Sequence, residues 1–130
     1  MKISIDNKIA VDAEIDMVHE EAVGDYKVKG DFHYLIYSNS EKERVVLKFN
    51  AQELTVTRFS RPQSVLKFDK GNFSAAQIPS PVGLQRLVTK TSHFELNIAS
   101  QELQVSYQLL PHPEAESALA DYQMRLKWYE

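Results

Sequence analysis

The sequence predicts an all-β chain, an antiparallel and mostly up-and-down barrel of about eight or more strands, calycin-like or lipocalin-like in plan, with at most one short helix. Three observations predict it. Apolar residues recur with a period of two along most of the chain, the pattern that sets one row of side chains on one face of a strand. Breaks rich in Gly, Pro, Asn and Asp interrupt that pattern about every ten residues. The segments between breaks are joined closely enough to be successive hairpins rather than long Greek-key crossings, which favours a barrel over a sandwich, and closure removes exposed strand edges.

In order along the chain, Ile9, Val11, Ala13, Ile15 and Met17 alternate with Ala10, Asp12, Glu14 and Asp16, and read as one half-buried strand. Tyr26 to Lys29, then Gly30-Asp31, then Phe32 to Tyr37 has the spacing of a tight hairpin whose glycine takes a positive φ. After the polar stretch Ser38 to Glu43, Val45, Leu47 and Phe49 alternate until Asn50-Ala51-Gln52 breaks the run. Leu54, Val56 and Arg58 share the next face, and Arg61-Pro62-Gln63 ends it. Val65 to Phe68 is a short strand before the turn Asp69-Lys70-Gly71-Asn72. Phe73 to Ile78 leads into Pro79-Ser80-Pro81-Val82-Gly83, where two residues without an amide donor require an edge, bulge or corner. From Leu84 to Ile98 the apolar parity drifts between Leu87 and Phe94, as a bulge in one long bent strand would cause. Leu103 to Leu109 and Ala120 to Trp128 alternate most clearly of all. Between them Glu114 to Tyr122 favours helix by propensity, for one or two turns at most.

A chain of 130 residues with 43% hydrophobic and 25% charged residues has the composition of one folded domain, residues 1–130. The net charge of −3 gives no electrostatic reason to approach nucleic acid or an anionic membrane. Without cysteine there is no disulfide, thiol nucleophile or thiolate metal site. The start, Met1 to Asp6, lacks the apolar stretch of a signal peptide, and no run approaches the ~18–20 apolar residues of a membrane span, so the expected address is the cytoplasm.

From Val45 to Tyr107 the order of landmarks resembles the YwiB-like family of small bacterial proteins. The landmarks are Arg58 late in a strand, Phe68 followed by the turn glycine Gly71, the corner Pro81-Val82-Gly83, and the two threonines Thr89 and Thr91 beyond it. The resemblance implies an antiparallel barrel of calycin type and no assigned activity. Two departures stand out: Ser60 occupies a position where this family often has glycine, and the strand pair beginning near Gly30 reads as shorter than usual.

Four residues are candidate ligand contacts. Arg58 has the parity of Leu54 and Val56, which points its guanidinium inward, where it needs either an anionic partner or a place at the barrel mouth. Its functional reading is a fork for a carboxylate or phosphate; its structural reading, the commoner outcome, is an ion pair or a strand-end residue reaching for water. Arg86, between Leu84 and Val88 on one parity, invites the same two readings. Tyr107 and Tyr122 lie on apolar faces, where packing is the commoner role and a hydroxyl offered to a ligand the sharper one. Trp128 reads as a strand-end aromatic that closes the core.

His19, His33, His93 and His112 have no i, i+2 or i, i+4 pairing, so no metal site is expected. Ser92 and His93 are adjacent and therefore on opposite strand faces, which forbids a triad hydrogen bond. Four glycines make no phosphate-cradling loop, so no nucleotide cofactor is expected. His19-Glu20-Glu21 and Glu41 to Arg44 read as solvated loops. The functional expectations are therefore, first, a barrel holding a small, partly apolar or anionic molecule in its interior or mouth. The alternative is a packed barrel that recruits a protein partner or a second copy as a homodimer, and an enzyme without a recognisable catalytic motif stands last.

Overall fold

The computed structural model describes residues 1–130 and contains ten strands and no helix. They are β1 (Lys2–Val11), β2 (Glu14–Lys29), β3 (Phe32–Ser38), β4 (Arg44–Phe49), β5 (Glu53–Arg58), β6 (Ser64–Asp69), β7 (Phe73–Ser80), β8 (Gly83–Asn97), β9 (Glu102–Leu110) and β10 (Ala120–Tyr129). Each strand pairs antiparallel with the next, and β1 pairs with β10 to close the barrel. The predicted up-and-down barrel is therefore the architecture.

Most turns fall where the sequence places them. Gly30 and Gly71 have φ of 61° and 75°, a region that a glycine enters without Cβ strain. The parity drift in β8 is a register irregularity between Thr91 and His93, after which Phe94 and Leu96 replace Thr89 and Thr91 as the inward row.

Three expectations are corrected. Residues 9 to 17 are not one strand: Asp12-Ala13 is a tight turn, with Asp12 at φ 52°, and Val11 pairs with Glu14. A two-residue turn makes Val11 share a face with Glu14 rather than with Ile15, so the apparent single apolar row divides between the two faces of a hairpin. Ile15 and Met17 are accordingly 60% and 71% exposed. Second, Tyr26 to Lys29 is the end of the 16-residue β2, so the strand leading to Gly30 is long. Third, residues 111 to 119 run as turns and bends without helix, because so short a segment cannot repay helix nucleation, while Ala120 gains a ladder partner in Leu109.

Gly24 lets β2 serve two neighbours. Glu14 to Val23 pair with β1, and Gly24 to Lys29 pair with β3. A Cβ at Gly24 would sit 2.2 Å from the Ile36 carbonyl oxygen and 2.9 Å from Tyr37 Cβ, so only glycine lets the strands approach at this corner. A second irregular seam lies between β6 and β7, which share only the pairs Val65 with Gln77 and Leu66 with Ala76. Side chains close the rest of it. The Thr89 hydroxyl donates to the Lys67 carbonyl at 2.6 Å, and the Ser74 hydroxyl donates to the Asp69 carboxylate at 2.5 Å.

The core is aromatic at one end of the barrel, beneath the turns at Gly30 and Gln52 and beside the chain termini. Trp128 is 1% exposed and packs its ring 5.2 Å from Phe49 and 5.8 Å from Tyr26, centroid to centroid. His33 stacks on Phe49 and accepts a hydrogen bond from the Tyr26 hydroxyl at its Nδ1, 2.6 Å away. Leu35, Leu47, Leu54, Leu103 and Leu126 fill the middle.

Candidate functional site

The four predicted contacts do not converge. Arg58 follows Leu54 and Val56 on the inner face but stands at the last residue of β5, where it is exposed at the rim, so its guanidinium is not buried. Arg86 points outward, which corrects the inward reading. It pairs with Gln77 on the outer face, because the inward row of β8 runs through Leu87 and Thr89; the neighbouring Leu84 on Arg86's own row is itself exposed. Arg86 borders an outer-wall groove of about 370 Å³ beside the β6–β7 seam, with Val65, Lys67, Ala75 and Gln77.

Tyr107 and Tyr122 are inside. Their rings stack at 4.7 Å with 4° between planes, and Phe68 lies tilted against Tyr107 at 4.4 Å. Burial pushes both hydroxyls above the usual tyrosine range. This stack fills the half of the barrel opposite Trp128 with ring carbon, which is the packing role.

The same half holds unpaired polar atoms. Asn7 Oδ1 and Glu20 Oε1 on the β1–β2 pair, and Thr91 Oγ1 on β8, are buried with no hydrogen-bond partner in the protein. Tyr37, on β3, is buried and close enough to Glu20 that the carboxylate adds to the upward push that burial gives its hydroxyl, while the Arg58 charge pulls the other way. Asn7, Glu20, Tyr37 and Arg58 thus occupy the region where β2 and β3 part company.

That parting creates the least expected feature of the molecule. From Glu14 to Val23, β2 pairs with β1 alone, since its pairing with β3 begins only at Gly24. No turn or loop backbone bonds to this stretch either. Alternate residues of such a segment turn their N–H and C=O groups away from the paired side, so the far side is an open edge about 30 Å long. Along it His19 donates to the Asp6 carboxylate at 2.6 Å and the Glu21 carboxylate at 3.0 Å. The hydrogen bond to Asp6, followed by that to Glu21, raises the His19 pKa above 6.5. His19-Glu20-Glu21 is therefore strand, not the solvated loop its charge suggests.

Sequence reading missed this edge because it took the turn at Asp12-Ala13 for part of a strand. The available signal was charge. Six carboxylates and no lysine or arginine lie between Ile9 and Tyr26, interleaved with Ile15, Met17, Val18 and Val23.

Comparison with known proteins agrees with the architecture. A family model described as a domain of unknown function, DUF1934, matches residues 3–126. Among solved structures, the ywiB protein from Bacillus subtilis matches with a TM-score of 0.77 and 16% sequence identity, over 99% of this chain and 91% of that one. At that identity the likeness carries the fold alone. No curated protein matches the sequence. The resemblance drawn from Arg58 through Thr91 to a YwiB-like family agrees with both matches.

Proposed function

The chain belongs to the family of domains of unknown function DUF1934, and from that premise we propose that it is a protein-binding module that takes an extended segment of a partner onto the open edge of β2. The observation that carries this reading is the one-sided pairing of Glu14 to Val23. Free edges are template surfaces, and natural barrels close or cover them unless a partner does so. Exposed Ile15, Met17, Val18 and Val23 on the same stretch supply apolar contacts beside the backbone donors and acceptors.

The test is an amide NMR titration of the full chain with a panel of soluble heptapeptides of strand-forming sequence. Binding is expected to shift the amides of Glu14 to Val23 and slow their hydrogen exchange, and N-methylation of alternate peptide residues is expected to abolish it. A panel that leaves those amides unmoved, or binding indifferent to N-methylation, sinks the reading.

A second reading is a small, partly apolar or anionic molecule held at the rim beside Arg58, in the manner of a calycin. It is supported by the unpartnered Asn7, Glu20 and Thr91 oxygens below that rim. Against it stands the Tyr107–Tyr122 stack, which fills space a ligand would need. Native mass spectrometry against a metabolite library separates the two, since a stoichiometric adduct weakened by Arg58→Ala belongs to the second reading alone.

A further inference from the structure

Resting on the β2 edge as a docking site, we infer that the segment it takes is cationic, an extended strand in which lysine or arginine alternates with apolar residues, and that Asp16 and Glu20, which share one face of β2, select it. The net charge of the chain is only −3, yet Asp12, Glu14, Asp16, Glu20 and Glu21 fall on the open stretch and its turn, which carry no lysine or arginine of their own; the nearest are Lys8 opposite Met17, Lys2 opposite Val23, and Lys27 beyond Gly24. The one basic group among them, His19, is already engaged by Asp6 and Glu21. Glu20 makes no ion pair; its carboxylate interacts with the Tyr37 hydroxyl, but its Oε1 is buried without a partner on the side of β2 that faces the barrel. That oxygen is short of a donor, and a lysine or arginine carried in by a pairing strand supplies one.

The arrangement also argues against a second copy of the chain as the occupant. In an antiparallel β2 pair facing side chains share a face, so the two-fold passes through a residue; through Met17, Glu14 would face Glu20 of the other copy twice. With the two-fold through Val18, Asp16 would face Glu20 twice. Like charges directly opposite across a strand pair are destabilising, so the carboxylates disfavour these registers of self-pairing; a two-fold through His19 opposes no carboxylates but sets two His19 rings, each already held by Asp6 and Glu21, against each other. Nucleic acid and anionic membranes are repelled by the same charge.

The experiment uses three acetylated, amidated heptapeptides of one pattern, with Val at alternate positions and Lys, Thr or Glu between them, titrated into the full chain by calorimetry with the amide NMR readout in parallel. The Lys peptide is expected to bind Glu14 to Val23 roughly tenfold more tightly than the Thr peptide at low salt, and the Glu peptide not at all. That advantage shrinks as salt rises toward 0.5 M, because exposed charges are screened. Asp16→Asn with Glu20→Gln is expected to remove most of the Lys advantage while leaving Thr-peptide binding unchanged, which also certifies that the doubly substituted chain folds. Equal binding of Lys and Thr peptides at this edge overturns the charge selection and leaves the edge reading intact. Binding of none of them there, or sedimentation as a dimer whose interface protects Glu14 to Val23, overturns both.

Discussion

Replacing Gly24 with alanine tests the corner on which both the barrel and the open edge depend. The new Cβ would lie 2.2 Å from the Ile36 carbonyl oxygen, 2.9 Å from Tyr37 Cβ and 3.0 Å from Ile3 Cδ1. Two of these atoms belong to the backbone or sit directly on it, so neither swings aside as a flexible side-chain tip would. Ordinary overpacking costs roughly 1–3 kcal/mol, and a contact this short on a hydrogen-bonded strand belongs at or above the top of that range. Relief requires β2 to move away from β3, which weakens the ladder that starts at Gly24 and Tyr37. We expect a loss of about 3 kcal/mol in urea unfolding, against a net stability of roughly 5–15 kcal/mol for a domain, and a midpoint temperature lower by about 10 °C. Gly30→Ala is the control. Nothing lies within 4 Å of its added Cβ, but its φ of 61° is left-handed, so it should lose only about 1 kcal/mol. Trp128 reports the transition, since its ring is buried in the folded chain and exposed on unfolding. If Gly24→Ala is no more destabilising than Gly30→Ala, the steric account of the corner is wrong.

Thr89→Val and Thr91→Val form a matched pair in chemical denaturation. The first strands the Lys67 carbonyl at the β6–β7 seam and should lose about 1–3 kcal/mol, whereas the second deletes an oxygen with no partner and should be neutral or slightly stabilising; equal losses would contradict the assigned partners. NMR titration of His19 should give a pKa above 6.5, and Asp6→Asn should lower it more than Glu21→Gln does. Because the folded pKa is the higher one, the stabilisation from His19 is fully present below pH 6.5 and fades as pH rises through the folded value; it should be small on so exposed a group, and stability rising across that window would contradict the sign. Trp128→Ala should lose about 3–5 kcal/mol in urea unfolding, since it removes the ring against which Tyr26 and Phe49 pack; a loss below about 1 kcal/mol would show that this end of the barrel is not closed by that ring.

Much of the architecture was legible from local pattern. Strand identity follows from side-chain period, and the turns at Gly30 and Gly71 follow from the backbone region only glycine enters freely. Even the β8 bulge was visible, because it shifts the apolar row from Thr91 to Phe94. The candidate site was not. Parity counts one strand at a time, and a two-residue turn leaves the count unbroken, so residues 9 to 17 look the same as a strand or as a hairpin. Arg86 shows the same weakness from the other side, since Leu84 and Val88 lend it an apolar row that in the barrel faces out.

By itself, then, the sequence determined the fold class, the hairpin order and nearly every turn of this chain, because those depend on residues close together in it. Which strand edge lacks a neighbour, where Glu20 and Arg58 meet Tyr37, and whether a tyrosine hydroxyl reaches solvent were decided only by tertiary structure. They depend on how far each ladder runs before its partner turns away, and that length is set by contacts between residues remote in the chain, such as Gly24 with Tyr37 and Lys2 with Val23.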